Sequence, residues 1–591
     1  MFFSLFAEVI DPSGKETRKY INIKNNQQGQ GAILSNNYFT VLRYDDLNEG
    51  DAISYRTYGN SDMPNVAMAA AWYSSSELSV ETYIAPALFD GDEPLATCDA
   101  YGTYDLVVPQ GATTLAVTIS HNYGTGMIAP TGTPIVHSPS EYISGTLPVM
   151  YVTTIDSVPI TSKDYYLEGS YYIDNMGLEA FESIGSVDEQ LSLQIKGRGN
   201  TSWKLEKKPY RIKLDKKQAL LGMNKSKHFC LMAHHEDGTA FQADEMGFTF
   251  SRLLDMDWTP HQEPIELVLN GDYLGLYWLT EKIRVESNRV DIYEQADEET
   301  NPEMVTGGWL IELSNKVEDG QITFIDGAGK EIRFSLETPE VLSDVQNEYI
   351  STYLTTIDSL IYIDNKLDNS WEEYIDIDEL VKFYVLQELM DNCEAFSGSC
   401  YMHKDLGEDT KFRFGPVWDF GSIGTHYLAG SYNYFIYQET PAYVHDHWIG
   451  EIAKFPHFQQ KVRQLWNDIY PGIIEQAKQH CYEYVDYITP AIVSNYKRWK
   501  SANSTNISYN KIRVWNTLQK KWNFLDSQWN NPIIIPGDVD GDGYVTSTDI
   551  TALYSFILNN DASNIVNGDQ NGDGDITSND ITFIYNILLG Q

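Results

Sequence analysis

The apolar positions along this chain follow different periods in different stretches. Up to about residue 135 they come in short runs such as FFSLFAEVI, ISYRTYG, YDLVV and TTLAVTIS, broken by Gly, Asn and Asp clusters. Runs of that length and spacing predict an all-β sandwich over 1–135. The opening MFFSLFAEVI reads as its first strand against a truncated signal peptide, since it lacks a basic lead and a small-residue cleavage site. Any secretion signal is therefore expected to be missing from this chain. Trp72 and Tyr73 read either as core or as an aromatic platform for sugar rings.

The stretch TGTPIVHSPSEYISGTLP, rich in Pro, Gly, Ser and Thr, marks a boundary, with a linker at 136–146. From 147 to 529 the pattern predicts one α+β domain, with strands dominating to about residue 335 and helical periodicity afterwards. Within it, Asn270-Gly271 between two apolar runs is the signature of a hairpin closed by a type I′ turn. In DIDELVKFYVLQELM, Asp376 stands three residues before Glu379, a capping-box spacing. Leu380, Phe383, Leu386 and Leu389 or Met390 follow on one helical face. The amphipathic segments from Trp448 to Trp529 are expected to complete this domain's own core. A short linker at 530–536 leads to a last segment, 537–591, in which no Lys, Arg or Glu occurs.

Composition narrows the class. With 42% hydrophobic and 13% aromatic residues in 591, the chain can build several packed cores, and it is too long for one. A formal charge of −43 repels phosphate backbones and anionic lipid, so nucleic acid and membrane surfaces are poor partners, whereas cations and neutral polymers suit it. Nowhere do about 18 apolar residues run together, so no membrane insertion is expected. Cys98, Cys230, Cys393, Cys400 and Cys481 are scattered and odd in number, which implies no disulfide framework. His234-His235 and the pair His445 and His447 lack a third zinc ligand at a recognised spacing, and no metal is assigned to them.

The last segment carries a repeat: DVDGDGYVTSTD at Asp538–Asp549 returns 31 residues later as DQNGDGDITSND at Asp569–Asp580. Oxygen ligands at loop positions one, three, five, nine and twelve, with glycine at six, suit a hard cation such as Ca2+. They are Asp538, Asp540, Asp542, Thr546 and Asp549, then Asp569, Asn571, Asp573, Thr577 and Asp580, with backbone carbonyls from Tyr544 and Asp575. Ile550, Leu553 and Ile557, and Ile581, Ile584 and Leu588, repeat on one face of the helix expected after each loop. An EF-hand would have a helix before the loop and Glu at position twelve. The segment instead resembles type I dockerins, whose duplicated loop-helix units bind two Ca2+ and dock to cohesins. That resemblance implies an extracellular, secreted protein held on a cellulosomal scaffoldin, with Ser547, Thr548, Ser578 and Asn579 facing the cohesin domain.

In the central domain, KGRGNTSWKLEKKPYRIKL joins a Gly-rich turn, Gly197-Arg198-Gly199-Asn200, to a strand carrying Arg211 and Lys213. Such a turn can cradle phosphates, though a Gly turn beside a basic strand is also a common solvated face. LLGMNKSKHFCLMAH, VLNGDYLGLYWLTEKI, GGWLIEL and FRFGPVWDFGSIG follow in the order found in the CotH family, which this span resembles. The family implies an atypical protein-kinase-like fold working with ATP and Mg2+. By that resemblance Lys213 and Arg198 contact the nucleotide phosphates, Glu245 or Glu281 orients the lysine, and Asp419 and Ser399 hold the metal. The usual Asn-x-Asp reads Asn392-Cys393-Glu394 here, so Glu394, or Asp391 beside it, stands as the proton acceptor. Gly421 replaces the second Asp of the later WDFD motif. Trp203 and Trp418 read as core, and Glu281-Lys282 as a surface ion pair.

Three functions compete on these grounds. One is an ATP/Mg-dependent Ser/Thr phosphotransferase localised by its dockerin. The second is a non-catalytic, pseudokinase-like binding subunit that tethers a protein or glycan to the cohesin scaffold in polysaccharide degradation. The third, a glycoside hydrolase, rests on the company dockerins usually keep.

Overall fold

The computed structural model describes residues 12–22, 29–58, 69–87, 89–90, 93–94, 101–120, 125–130, 137–234, 239–315, 317, 320–421, 423, 432–438, 448–499, 506–531 and 533–589. The expected strand at residues 1–10 and the histidines 235, 445 and 447 lie outside them. The chain divides into two compact units, one of Met1–Gly238, Gln262–Glu281 and Tyr487–Ile507, the other of Thr239–His261, Lys282–Asp486 and Ser508–Gln591.

The first unit opens with a β-rich region. Strands Gly14–Ile21, Ile33–Tyr44, Thr114–Ser120, Ala70–Tyr73 and Tyr83–Ala87 form one antiparallel sheet in that order. A second sheet pairs Thr125–Pro130, Ala52–Tyr58 and Tyr101–Val107. Leu42, Tyr44, Ile53, Tyr55, Leu115 and Val117 are buried together as the core of this region. Trp72 and Tyr73 are buried as well, and the Tyr73 hydroxyl donates to the Gly31 carbonyl at 2.9 Å. They are core residues, so this pair is no sugar-stacking platform.

Seven further strands close into a barrel: β1 (Val149–Thr154), β2 (Leu167–Asp174), β3 (Leu191–Gly197), β4 (Tyr210–Gln218), β5 (Ser226–Met232), β6 (Gln262–Leu269) and β7 (Asp272–Glu281). The order is β1-β2-β3-β4-β5-β7-β6, and β6 returns parallel to β1 to close the ring. Inward residues such as Ile195, Ile212, Phe229, Leu267 and Leu279 fill the interior. The β6–β7 hairpin turns at Asn270 (φ 52°) and Gly271 (φ 83°), the two positive-φ positions a type I′ turn demands. The Asn270 side chain also accepts from the Thr154 amide at 2.9 Å, fastening the turn to β1.

The second unit holds another sheet, from β8 (Trp309–Leu313), β9 (Ile322–Ile325), β10 (Glu331–Thr338), β11 (Cys400–Lys404) and β12 (Arg413–Phe414), in the order β9-β10-β8-β11-β12. Its last two strands come from the stretch read as helical. They are short, and pairing makes them strands: β11 lies on β8, and β12 on β11. Among the described residues the longer helices of the chain are α1 (Ala243–Leu253), α2 (Asp344–Ile361), α3 (Ile377–Met390), α4 (Pro456–Ile469), α5 (Gly472–Trp499), α6 (Ile507–Trp529), α7 (Ser547–Asn559) and α8 (Ser578–Leu588), of which α5 from Tyr487 on belongs to the first unit. Asp376 caps α3, accepting from the Asp378 and Glu379 amides. The reciprocal half of the expected box is absent, because the Glu379 carboxylate pairs with Lys382 and Arg413 instead.

Candidate functional site

In the barrel, the turn after β3 is built around Trp203. A Cβ on Gly197 would lie 2.4 Å from the Trp203 ring, and Gly199 has φ +82°. Both positions therefore require glycine for reasons of packing and backbone, whatever the turn binds. The Arg198 amide donates to the Pro209 carbonyl at 3.2 Å, and its guanidinium reaches Met232 Sδ at 2.8 Å.

Strand register separates two of the residues expected to act together. Lys213 pairs with His228, whereas Glu281 pairs with the next residue, Phe229, from the other side of β5. Successive residues of a strand face opposite ways. Lys213 is therefore exposed on the outer face, and Glu281 is buried on the inner face with Ile212 and Phe229. Glu281 does not orient Lys213. Nor does it form a surface ion pair with Lys282, whose ammonium lies 2.7 Å from Glu337.

In the second unit the WDFG turn is anchored on α1. A Cβ on Gly247 would fall 2.1 Å from the Phe420 ring, so that glycine exists to let Phe420 lie against the helix. Asp244 accepts from the Phe420 amide at 3.1 Å. Asp419, between two buried aromatics, is exposed and held at φ 62°, with its carboxylate accepting from the Gly421 amide at 3.3 Å. Its carbonyl accepts from the Asn392 amide group at 3.4 Å, which ties the end of α3 to this turn. Glu245 is engaged elsewhere, 2.6 Å from Arg252 and 2.8 Å from His480.

Of the two proton-acceptor candidates, Asp391 ends α3 in the left-handed region (φ 51°) and is buried. Its oxygens accept from the Tyr434 hydroxyl at 3.0 Å and lie 3.4 Å from Lys521, which pairs with Glu388 at 2.9 Å. Burial pushes the Glu388 carboxyl up despite Lys521, as expected where one buried ammonium serves two carboxylates. Asp391 is thus committed to a charge cluster that links α3 to α6. Glu394 is half-buried on the loop beyond, its carbonyl accepting from the Ser397 and Gly398 amides. Ser399, at φ 53°, donates its amide to Glu312 of β8 at 2.9 Å. A cavity of about 600 Å³ in the same unit is lined by Asp257, Trp258, Asp376, His403, Lys411 and Arg413, and none of the expected site residues borders it.

The two C-terminal loops fold alike. Asp538 accepts from the Gly541 and Gly543 amides, and Asp569 from those of Gly572, Asp573 and Gly574. Asp549 accepts from the amides of Val539, Asp540 and Thr546, as Asp580 does from those of Gln570, Asn571 and Thr577. Thr546 and Thr577 also cap α7 and α8, each in a full capping box with the Asp three residues on. That double duty was readable as T-x-x-D, but the ligand pattern masked it. Asp575 is exposed, as are Ser547, Thr548, Ser578 and Asn579 in the first turns of the helices. The apolar face is shorter than expected: Ile550, Leu553, Ile581 and Ile584 are buried together, whereas Ile557 and Leu588 are 39% and 42% exposed.

Among the described residues, Asp538, Asp540 and Asp542 offer carboxylate oxygens within 4.8 Å of one another, the donor set a hard divalent cation requires. No described helix is long and apolar enough to cross a membrane. No curated protein matches the chain. The family model for the CotH kinase protein matches residues 195–523, more than half of the chain, and the model for the dockerin type I domain matches 536–589. The chain is therefore a member of the CotH kinase protein family that carries a dockerin type I domain at its C-terminal end.

Proposed function

We propose that the chain is an extracellular scaffold component: its dockerin, loaded with two Ca2+, binds a cohesin, and its CotH domain transfers phosphate from ATP-Mg to protein hydroxyls. The observation that carries the catalytic part is the WDFG turn, which presents an exposed Asp419 carboxylate while Phe420 is locked on α1. A carboxylate so fixed can hold a nucleotide-bound Mg2+ without reorganising. Lys213 and Arg198 supply phosphate contacts in this reading. The substrate hydroxyl oxygen attacks the γ-phosphorus, the bond to ADP breaks, and Glu394 receives the hydroxyl proton. Asp391, buried against Tyr434 and Lys521, acts as a positioning residue for that loop.

For docking, Ser547, Thr548, Ser578 and Asn579 stand exposed where a cohesin can reach them. The convergence of the Asp538, Asp540 and Asp542 carboxylates, and the same residue spacing in the second loop, support a Ca2+ site in each.

A second reading, a non-catalytic binding subunit, is favoured by Gly421 and Glu394, which stand where family members carry Asp. Calorimetry of ATP-Mg into the full chain, with Asp419→Ala as control, separates the two. Binding lost in the control, followed by transfer from labelled ATP to a Ser/Thr substrate, supports catalysis. Absence of binding at millimolar nucleotide rejects it and leaves the tethering subunit. Titration with cohesin in calcium and in chelator tests the docking half independently.

A further inference from the structure

The first dockerin loop does more than present ligands to a cation. Its outer side lies against α4, a helix of the CotH domain. Tyr544, whose carbonyl occupies loop position seven, sets its ring against His457, with centroids 4.1 Å apart and the planes tilted by 50°. Its hydroxyl donates to Glu372 Oε2 at 2.7 Å, and the other oxygen of the same carboxylate holds His457 Nδ1 at 2.8 Å. Gln460, one turn further along α4, donates to the Gly541 carbonyl at 3.0 Å. Gly543 fits so closely that a Cβ there would lie 2.3 Å from His457. His457 is 2% exposed, so the ring is enclosed and not merely touched.

The second loop has none of these features. Its position-seven residue is Asp575, exposed, and its turn glycine, Gly574, has nothing within 4 Å of a Cβ position. Among the described residues the contact therefore belongs to the first repeat, the one that carries a tyrosine at position seven. It also leaves Ser547 and Thr548 exposed, so the loop can face α4 without covering the expected cohesin side.

We propose that the first calcium loop is the docking surface by which the dockerin is clamped to its own CotH domain, with Tyr544 as the plug and Glu372, His457 and Gln460 as the socket. Calcium in that loop fixes the positions of Gly541, Gly543 and Tyr544, so loading and clamping reinforce one another, and by reciprocity the socket raises calcium affinity at this loop alone. The proposal rests on the calcium reading above, but the Tyr544 and Gln460 side chains are not among the ligands, so the two can fail separately.

The test uses the full chain, with hydrogen exchange over residues 370–374 and 456–460 and calorimetric titration with calcium. Tyr544→Ala is expected to raise exchange in both segments. It should still bind two Ca2+, with one affinity lowered roughly 10-fold and the other unchanged. Gln460→Ala, which lies outside the dockerin, should do the same to a smaller extent, and guards against a misfolded loop in the first variant. Asp569→Ala, in the second loop, should leave exchange at 456–460 unchanged. Two calcium ions bound with exchange identical in wild type, Tyr544→Ala and Gln460→Ala would overturn the clamp while leaving the calcium reading intact. No calcium binding by the wild type would overturn both.

Discussion

The two dockerin loops share a sequence pattern and the same pattern of backbone hydrogen bonds, yet they stand in different surroundings. Asp538 and Asp549 of the first loop are buried, and burial, reinforced by neighbouring carboxylates and only partly offset by backbone donors, pushes both carboxyls up. Asp580 of the second loop is also desolvated, but the Thr577, Asn571 and Gln570 amides outweigh that and hold it down. Gly543 is pressed on His457, while the space around Gly574 is open. A duplication thus reproduces local loop geometry, because the hydrogen bonds are made within twelve residues. It does not reproduce environment, which depends on what the rest of the chain places nearby.

The strongest attack on this comparison is to remove the cation. With calcium at about a thousandfold its Kd, each loop gains about 4 kcal/mol, so chelation should lower the dockerin's melting temperature sharply and abolish cohesin binding. Coincident melts with and without chelator would mean that neither loop is a calcium site. Next come Leu553→Ala and Ile584→Ala, equivalent core positions that are both 0% exposed. Each should cost about 3 kcal/mol in denaturant unfolding, and to a similar extent, if the helices share one core symmetrically. An unequal cost would carry the asymmetry from the surroundings into the core.

Smaller effects sharpen the contrast. Asp538→Asn should destabilise the dockerin by about 2 kcal/mol more than Asp569→Asn, since the first loop loses its fit to α4 along with its charge-assisted bonds. Thermal unfolding of the two variants side by side would show this. Equal losses would mean that the α4 contact adds nothing to stability. The smallest expected change is Tyr544→Phe, which removes only the hydroxyl bond to Glu372 and should cost about 1 kcal/mol, seen as a shift in the same melts.

Much of this molecule was written locally. The Asn270-Gly271 turn, the Asp376 cap and the loop-helix repeat depend on neighbours a few residues apart, so sequence alone fixed them. The family motifs were legible for the same reason: Gly247 excepted, WDFG and its flanks are contiguous. Tertiary structure decided the remainder. Strand register put Lys213 and Glu281 on opposite faces of β5's neighbours, a one-residue offset that no motif encodes. Lys521, 130 residues beyond Asp391, turned a candidate base into part of a buried charge cluster. Pairing with β8 made a strand of 400–404, and pairing with that strand made one of 413–414, within a helical stretch. And Tyr544, which sequence could assign only as a backbone ligand, acquired a role for its side chain from Glu372 and His457, more than 80 residues away. Local hydrogen bonding can be read from spacing; contacts across long separations exist only once the chain has closed on itself.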